Sequence, residues 1–171
     1  MYRLLLFDRD GTLTYEREDY HRDLSRLFGY PFTSPVLKAF HTAGYLLAVV
    51  TNQSGIARGY WKLGEVETAH RRLCREWDVT PSFHICPHHP DDGCDCRKPA
   101  VGLLNEAMDV HGSQPEESLM IGDSLGDYLA ARESGMHFGL VLTGRGRVTR
   151  SQLPSLPTMV LDTIADLESH V

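Results

Sequence analysis

Short apolar runs alternate with longer stretches of helical spacing along this chain. Strand-length runs cover Arg3 to Asp8, Leu46 to Thr51, Phe83 to Cys86, Leu119 to Gly122 and Gly139 to Leu142. Between them, Leu63, Val66, Ala69, Leu73 and Trp77 make one helical stripe. Leu103, Leu104, Ala107, Met108 and His111 make another, which stops at Gly112. Ser34 before Pro35 reads as a cap followed by proline in the first turn, with Gly44 as the stop. Leu125 to Ser134 reads as a helix ending at Gly135, and Leu161 to Ser169 as a closing C-terminal helix. This alternation predicts an α/β fold, a Rossmann-like parallel sheet with helices on both faces. Right-handed crossovers then bring the carboxyl ends of the strands to one edge. Two stretches break the pattern. Thr14 to Thr33 is polar and aromatic (Tyr15, Tyr20, Phe28, Tyr30), and Pro87 to Arg97 combines turn formers with cysteine and histidine.

The strand exits carry the chemistry. The first run leads into Phe7-Asp8-Arg9-Asp10-Gly11-Thr12-Leu13. Alternate residues on an extended chain point the same way, so Asp8 and Asp10 can face one site just past the strand. The second run exits at Thr51-Asn52-Gln53-Ser54-Gly55, with hydroxyl and amide side chains. Arg97-Lys98-Pro99 places a basic pair before a helix, and the fourth run exits at Gly122-Asp123-Ser124-Leu125-Gly126-Asp127. An acid pair alone is commonly a solvated turn. A carboxylate can also be a nucleophile or a base, and it repels phosphate until a hard cation sits between them. Acid pair, threonine, lysine and acid pair, each after an apolar run, point to phosphoryl transfer.

Composition narrows the partners. With 171 residues the chain suits one domain, residues 1–171, and hardly two. A net charge of −6 and a pI of about 5.8 argue against a nucleic-acid partner. An anionic substrate then needs local positive charge from a metal, Lys98 and Arg97. No apolar run approaches the ~20 residues that span a bilayer, and the first residues reach Asp8 too soon for a signal peptide. The expectation is a cytoplasmic monomer that meets a small phosphorylated metabolite and neither nucleic acid nor membrane.

Three of the four cysteines share one loop. Cys86-Pro87-His88-His89 and Cys94-Asp95-Cys96 offer three thiolates and an imidazole, a closed tetrahedral zinc shell with either His88 or His89 as the nitrogen ligand. Pro87, Pro90 and Gly93 suit neither strand nor helix, so a metal would order the loop and with it Arg97 and Lys98. A reduced, metal-free loop is the competing reading. Cys74 stands apart on a helical stripe and reads as a small buried residue.

The four-part signature resembles the haloacid dehalogenase-like phosphatase superfamily over nearly the whole chain. The zinc loop is similar to that of the D-glycero-D-manno-heptose 1,7-bisphosphate phosphatases and the related histidinol-phosphate phosphatases, in which the position of His88 supplies the ligand. Thr51 to Gly59 and Leu142-Thr143-Gly144-Arg145-Gly146 resemble the heptose enzymes. The short spacing from His88 to Cys94 is closer to the histidinol-phosphate enzymes, and Thr14 to Thr33 matches neither. The resemblance implies Asp8 as nucleophile and Asp10 as general acid and base. It implies Mg2+ among Asp8, the Asp10 backbone carbonyl and Asp123, and Zn2+ on Cys86, His88, Cys94 and Cys96. Thr51 and Lys98 would hold the phosphoryl group, and Asn52, Gln53, Arg58, Arg97 and Arg145 are candidates for substrate contacts. Asp127 would support the metal or Lys98, or would be an ordinary first-turn acid. An insertion of this size is too small for a separate cap domain, so an open site is expected.

The resemblance makes a phosphorylated sugar the expected substrate, heptose bisphosphate ahead of histidinol phosphate. The latter's amine would favour acids at the mouth, which Glu16, Glu18 and Asp19 could supply. Two readings of other classes compete. A phospho-accepting receiver domain shares the acids, hydroxyl and lysine but has neither this order nor a zinc loop. A non-catalytic zinc module leaves the intact acid, threonine and lysine set unexplained.

Overall fold

The computed structural model describes residues 2–16 and 22–171. Six parallel strands form one sheet in the order β3-β2-β1-β4-β5-β6. They are β1 (Leu4–Phe7), β2 (Leu46–Asn52), β3 (Ser82–Cys86), β4 (Ser118–Gly122), β5 (His137–Val141) and β6 (Met159–Leu161). β1 lies between β2 and β4, with Leu4 opposite Leu46 on one side and Ser118 on the other. It is apolar at every position because helices cover both faces.

Alternate strand residues feed two cores. Leu5, Phe7, Val49, Leu119 and Ile121 pack with α1 (Thr33–Thr42) and α2 (Leu63–Trp77), through Val36, Leu37, Phe40, Ala69, Leu73 and Trp77. Leu4, Leu6, Ala48, Val50 and Met120 pack with α3 (Gly102–His111) and α4 (Leu125–Glu133), through Leu103, Leu104, Ala107, Met108, Tyr128 and Ala130. A short α5 (Gly146–Arg150) follows β5. No helix of the described residues is long and apolar enough to cross a membrane.

Two expectations need correcting. Ser34 is not the cap of α1. The helix begins at Thr33 behind Phe32, which makes no side-chain cap bond. The Ser34 hydroxyl donates to the Trp77 carbonyl at 3.0 Å and that of Thr33 to the Leu13 carbonyl at 2.7 Å, so both hydroxyls tie the helix to its neighbours. The stretch from Leu161 is not an α-helix. Met159–Leu161 adds the sixth strand beside Gly139–Val141, and a 3-10 turn, Ile164–Ser169, follows under a Thr163 cap. The insertion after β1 folds back along the first motif through bridges Asp10 to Thr14 and Thr14 to Gly29. Glu18, Asp19 and Tyr20 lie outside the described residues.

Candidate active site and metal centres

All the sequence motifs meet at the carboxyl edge of the sheet, around a cleft of about 280 Å³. Asp8 leaves β1, Thr51 lies in β2 and Asp123 follows β4. Lys98 enters from the loop before α3 and is almost wholly buried. Its ammonium donates to Asp8 Oδ1 at 2.8 Å and to the Val50 carbonyl at 2.7 Å, and it forms an ion pair with Asp127 Oδ1 at 2.6 Å. Asp127 is fully buried. Its Oδ2 accepts from the Ser124 amide at 3.0 Å and hydroxyl at 2.7 Å, closing a capping box at the start of α4. It is therefore the partner of Lys98, not an ordinary first-turn acid. Asp123 Oδ2 accepts the Arg145 amide at 2.7 Å. The turns around Asp123 are glycines at positive φ, Gly11 (86°) and Gly144 (52°), and a Cβ on either would strike its carboxylate.

The site holds more negative charge than one lysine neutralises. Burial pushes the Asp8 carboxyl up to about 7, with Lys98 opposing and Asp127 and Asp10 adding to the rise. Burial, then Asp8 and Asp127, push Asp123 up to about 8. On Lys98, burial works to lower the pKa, but Asp127 and Asp8 outweigh it and hold the ammonium charged. Oxygens of Asp8, Asp123 and Asp127 lie within 4.8 Å of one another. An all-oxygen set of surplus buried acids fits a hard divalent cation such as magnesium. The Asp127 oxygens are already engaged by Lys98 and Ser124, so Asp8 and Asp123 are the freer ligands.

Around the acids runs a polar network. Gln53 Nε2 donates to Asp10 Oδ2 at 2.9 Å and to the Thr51 hydroxyl at 2.8 Å, so it joins the first two motifs. Asn52 turns to the backbone of Lys98, donating to its carbonyl at 3.0 Å and accepting its amide at 3.1 Å. Its amide is thus engaged in holding the backbone of Lys98. Arg97 lines the cleft with a buried Nη1 that has no hydrogen-bond partner. Arg145 lines the mouth, where its Nε meets Glu16 at 2.6 Å. Arg58 does not line the cleft.

The cysteine loop forms the second centre. Cys86 Sγ lies 3.7 Å from both Cys94 Sγ and His88 Nδ1. Cys96 Sγ is 3.2 Å from His88 Nδ1 and 3.6 Å from Cys94 Sγ. A tetrahedron built on zinc–sulfur bonds has edges of about 3.8 Å, slightly shorter where nitrogen replaces sulfur. The four atoms fit zinc and leave no open position. His89 faces Asp91 instead, at 3.2 Å. The loop packs on the start of α3, where the Gly102 amide donates to the Asp95 carbonyl at 3.0 Å, and a Cβ on Gly102 would meet that oxygen at 2.6 Å.

Sequence reasoning missed three residues here. Arg9 is fully buried and folds onto Asp10, His70 of α2 stands behind it, and Trp61 walls the cleft against Gly55. An arginine between two acids was the available signal for the first. The other two come from a loop and helix whose pattern reads as packing.

Comparison with known proteins agrees with this geometry. The HAD-hydrolase-like family model matches residues 95–167. The D-glycero-beta-D-manno-heptose-1,7-bisphosphate 7-phosphatase of Pseudomonas aeruginosa is 39% identical over 97% of this chain and 96% of its own. A probable enzyme of the same kind from Thermoplasma acidophilum is 38% identical over 81% of this chain and 89% of its own. Among solved structures, D,D-heptose 1.7-bisphosphate phosphatase from B. bronchiseptica, complexed with magnesium and phosphate, superposes with a TM-score of 0.92 at 29% identity, covering 98% of this chain and 96% of that one.

Proposed function

The chain belongs to the haloacid dehalogenase-like phosphatases, and from that premise we propose that it is a magnesium-dependent D-glycero-D-manno-heptose 1,7-bisphosphate 7-phosphatase that works through an aspartyl-phosphate. The observation that carries the reading is the convergence of Asp8, Asp10, Thr51, Lys98 and Asp123 on one cleft. Magnesium, when bound through Asp8, the Asp10 carbonyl and Asp123, supplies charge neutralisation between phosphate and carboxylates. Asp8 attacks phosphorus, the bond from phosphorus to the sugar oxygen breaks, and Asp10 gives that oxygen its proton. Water then attacks the phosphoryl group, Asp10 takes its proton, and Asp8 is freed. Thr51 and Lys98 hold the remaining phosphoryl oxygens, where charge shifts in the transition state.

The whole chain acts as one catalytic domain in this reading, a cytoplasmic monomer in carbohydrate metabolism with structural zinc in the cysteine loop. Two features of the mouth support a bisphosphate over histidinol phosphate. Arg97 has a buried, unpartnered Nη1 beside the cleft, suited to a second anion. Glu16, one of the acids that could greet an amine, is already paired with Arg145. The test compares kcat/KM for heptose bisphosphate and histidinol phosphate, with Arg97→Ala alongside. Heptose bisphosphate is expected to be preferred, and Arg97→Ala to weaken it selectively. Preference for histidinol phosphate, or an equal effect of Arg97→Ala on both, would defeat the substrate assignment.

A further inference from the structure

Arg9 lies inside the molecule with no exposed surface. Buried arginines are rare and need their donors satisfied. The guanidinium forks onto its neighbour: Nε reaches Asp10 Oδ1 at 3.1 Å, and Nη2 reaches Oδ1 at 3.0 Å and Oδ2 at 2.7 Å. Its third arm, Nη1, meets His70 Nε2 at 3.0 Å. A guanidinium only donates, so His70 must present a lone pair at Nε2 and carry its proton on Nδ1. The ring is held for that role. It is 3% exposed and stacks on Phe83 with centroids 4.1 Å apart and planes 18° apart. Burial, then the charge of Arg9, drive its pKa down to about 3, which keeps it a neutral acceptor.

We propose that Arg9, braced by His70, is a positioning residue that fixes the plane of the Asp10 carboxylate for both proton transfers. This rests on the reading of Asp10 as general acid and base. Each Asp10 oxygen is gripped from two sides. Oδ1 accepts from Arg9 and from the Thr14 hydroxyl at 3.2 Å, and Oδ2 from Arg9 and Gln53. A lysine in place of Arg9 would balance the charge but could not set the plane, because only the planar fork binds both oxygens in one geometry. The brace comes from α2, which contributes no group to the reaction itself. α2 therefore acts on the chemistry through two side chains in series.

The test uses leaving groups of different acidity. A sugar phosphate must receive a proton as it departs, whereas p-nitrophenolate departs without one. Arg9→Met should lower kcat/KM for the sugar phosphate by about 10²-fold, within the range of a general acid. On p-nitrophenyl phosphate the same variant should lose less than about tenfold in kcat/KM, since that ratio reports formation of the aspartyl-phosphate, which needs no proton from Asp10 with this leaving group. In an Asp10→Asn background, Arg9→Met should add less than about threefold, because groups acting as a unit are not additive. His70→Leu, which leaves the fork in place, should show the same leaving-group dependence at smaller size, and Arg9→Lys should fall between wild type and Arg9→Met. His70→Leu and Arg9→Lys decide the matter if Arg9→Met does not fold. Equal losses on both substrates, or losses that multiply with Asp10→Asn, would overturn the assignment. If Asp10→Asn itself shows no leaving-group dependence, the role given to Asp10 fails instead.

Discussion

At the scale of single residues the site is a balance of buried charge. Lys98 stands between Asp8 and Asp127, and each of the three is costly alone. Lys98→Met should therefore destabilise the metal-free protein by about 3–5 kcal/mol at pH 8, the scale of a broken buried pair. Denaturant unfolding measures it. Asp8→Asn should abolish turnover yet leave the thermal midpoint undiminished, since it removes one of several crowded acids. Substantial turnover in purified Asp8→Asn protein would remove Asp8 from the nucleophile's role. The sequence shows Asp8, Asp10, Thr51 and Asp123 because they sit at strand exits, where position in the element predicts position in the site, and Lys98 because it stands in a basic pair before a helix. Arg9 and His70 escape it because their partnership joins residues 61 positions apart. The role of Asn52 escapes it for the same reason, since its amide faces a backbone 46 residues away. Spacing along the chain carries no trace of such pairings.

At the scale of elements, a metal on the cysteine loop would also order Lys98. Cys96 and Lys98 are two residues apart, and the loop is anchored on α3 through Gly102. Purified protein should hold one zinc per chain by elemental analysis. Cys94→Ser should lower zinc content, expose residues 87–97 to protease and reduce kcat, with the sheet intact by circular dichroism. Active protein without zinc would separate the metal from the fold of the loop. The long helices were legible because α2 and α3 each present a full apolar stripe. β6 was not, because three residues show no period, and its partner strand alone decides its conformation. The start of α1 was misplaced because Ser34 bonds a carbonyl of α2, a tertiary demand that outweighs local cap preference.

At the scale of the whole molecule, stability and metal binding share one pH dependence. Asp8 and Asp123 have folded pKa values raised to about 7 and about 8, against 3.8 in the unfolded chain. The folded state then holds more protons than the unfolded one between those values, and stability falls as pH rises through that window. His70 has the opposite sign, depressed to about 3 from 6.5, and weakens the fold only below pH 6.5. Between pH 6.5 and 8 the carboxylates should lower the thermal midpoint of magnesium-free protein whose cysteine loop keeps its zinc, so that Cys94, whose thiol is otherwise pushed down to about 7, does not titrate against them. Magnesium should cancel that drop, raising the midpoint far more at pH 8.5 than at pH 5.5, where it must displace protons. A magnesium effect independent of pH would place the cation elsewhere. The strand order has a consequence of its own during biosynthesis. β1 leaves the ribosome first, yet one of its flanks pairs with residues 118–121. A nascent chain carrying Asp8, Thr51 and Lys98 still has no Asp123 or Asp127, and the inner edge of its first strand stays bare. Translation therefore completes most of the polypeptide before the enzyme can meet its substrate, and through that interval the most apolar strand is the one chaperones must guard.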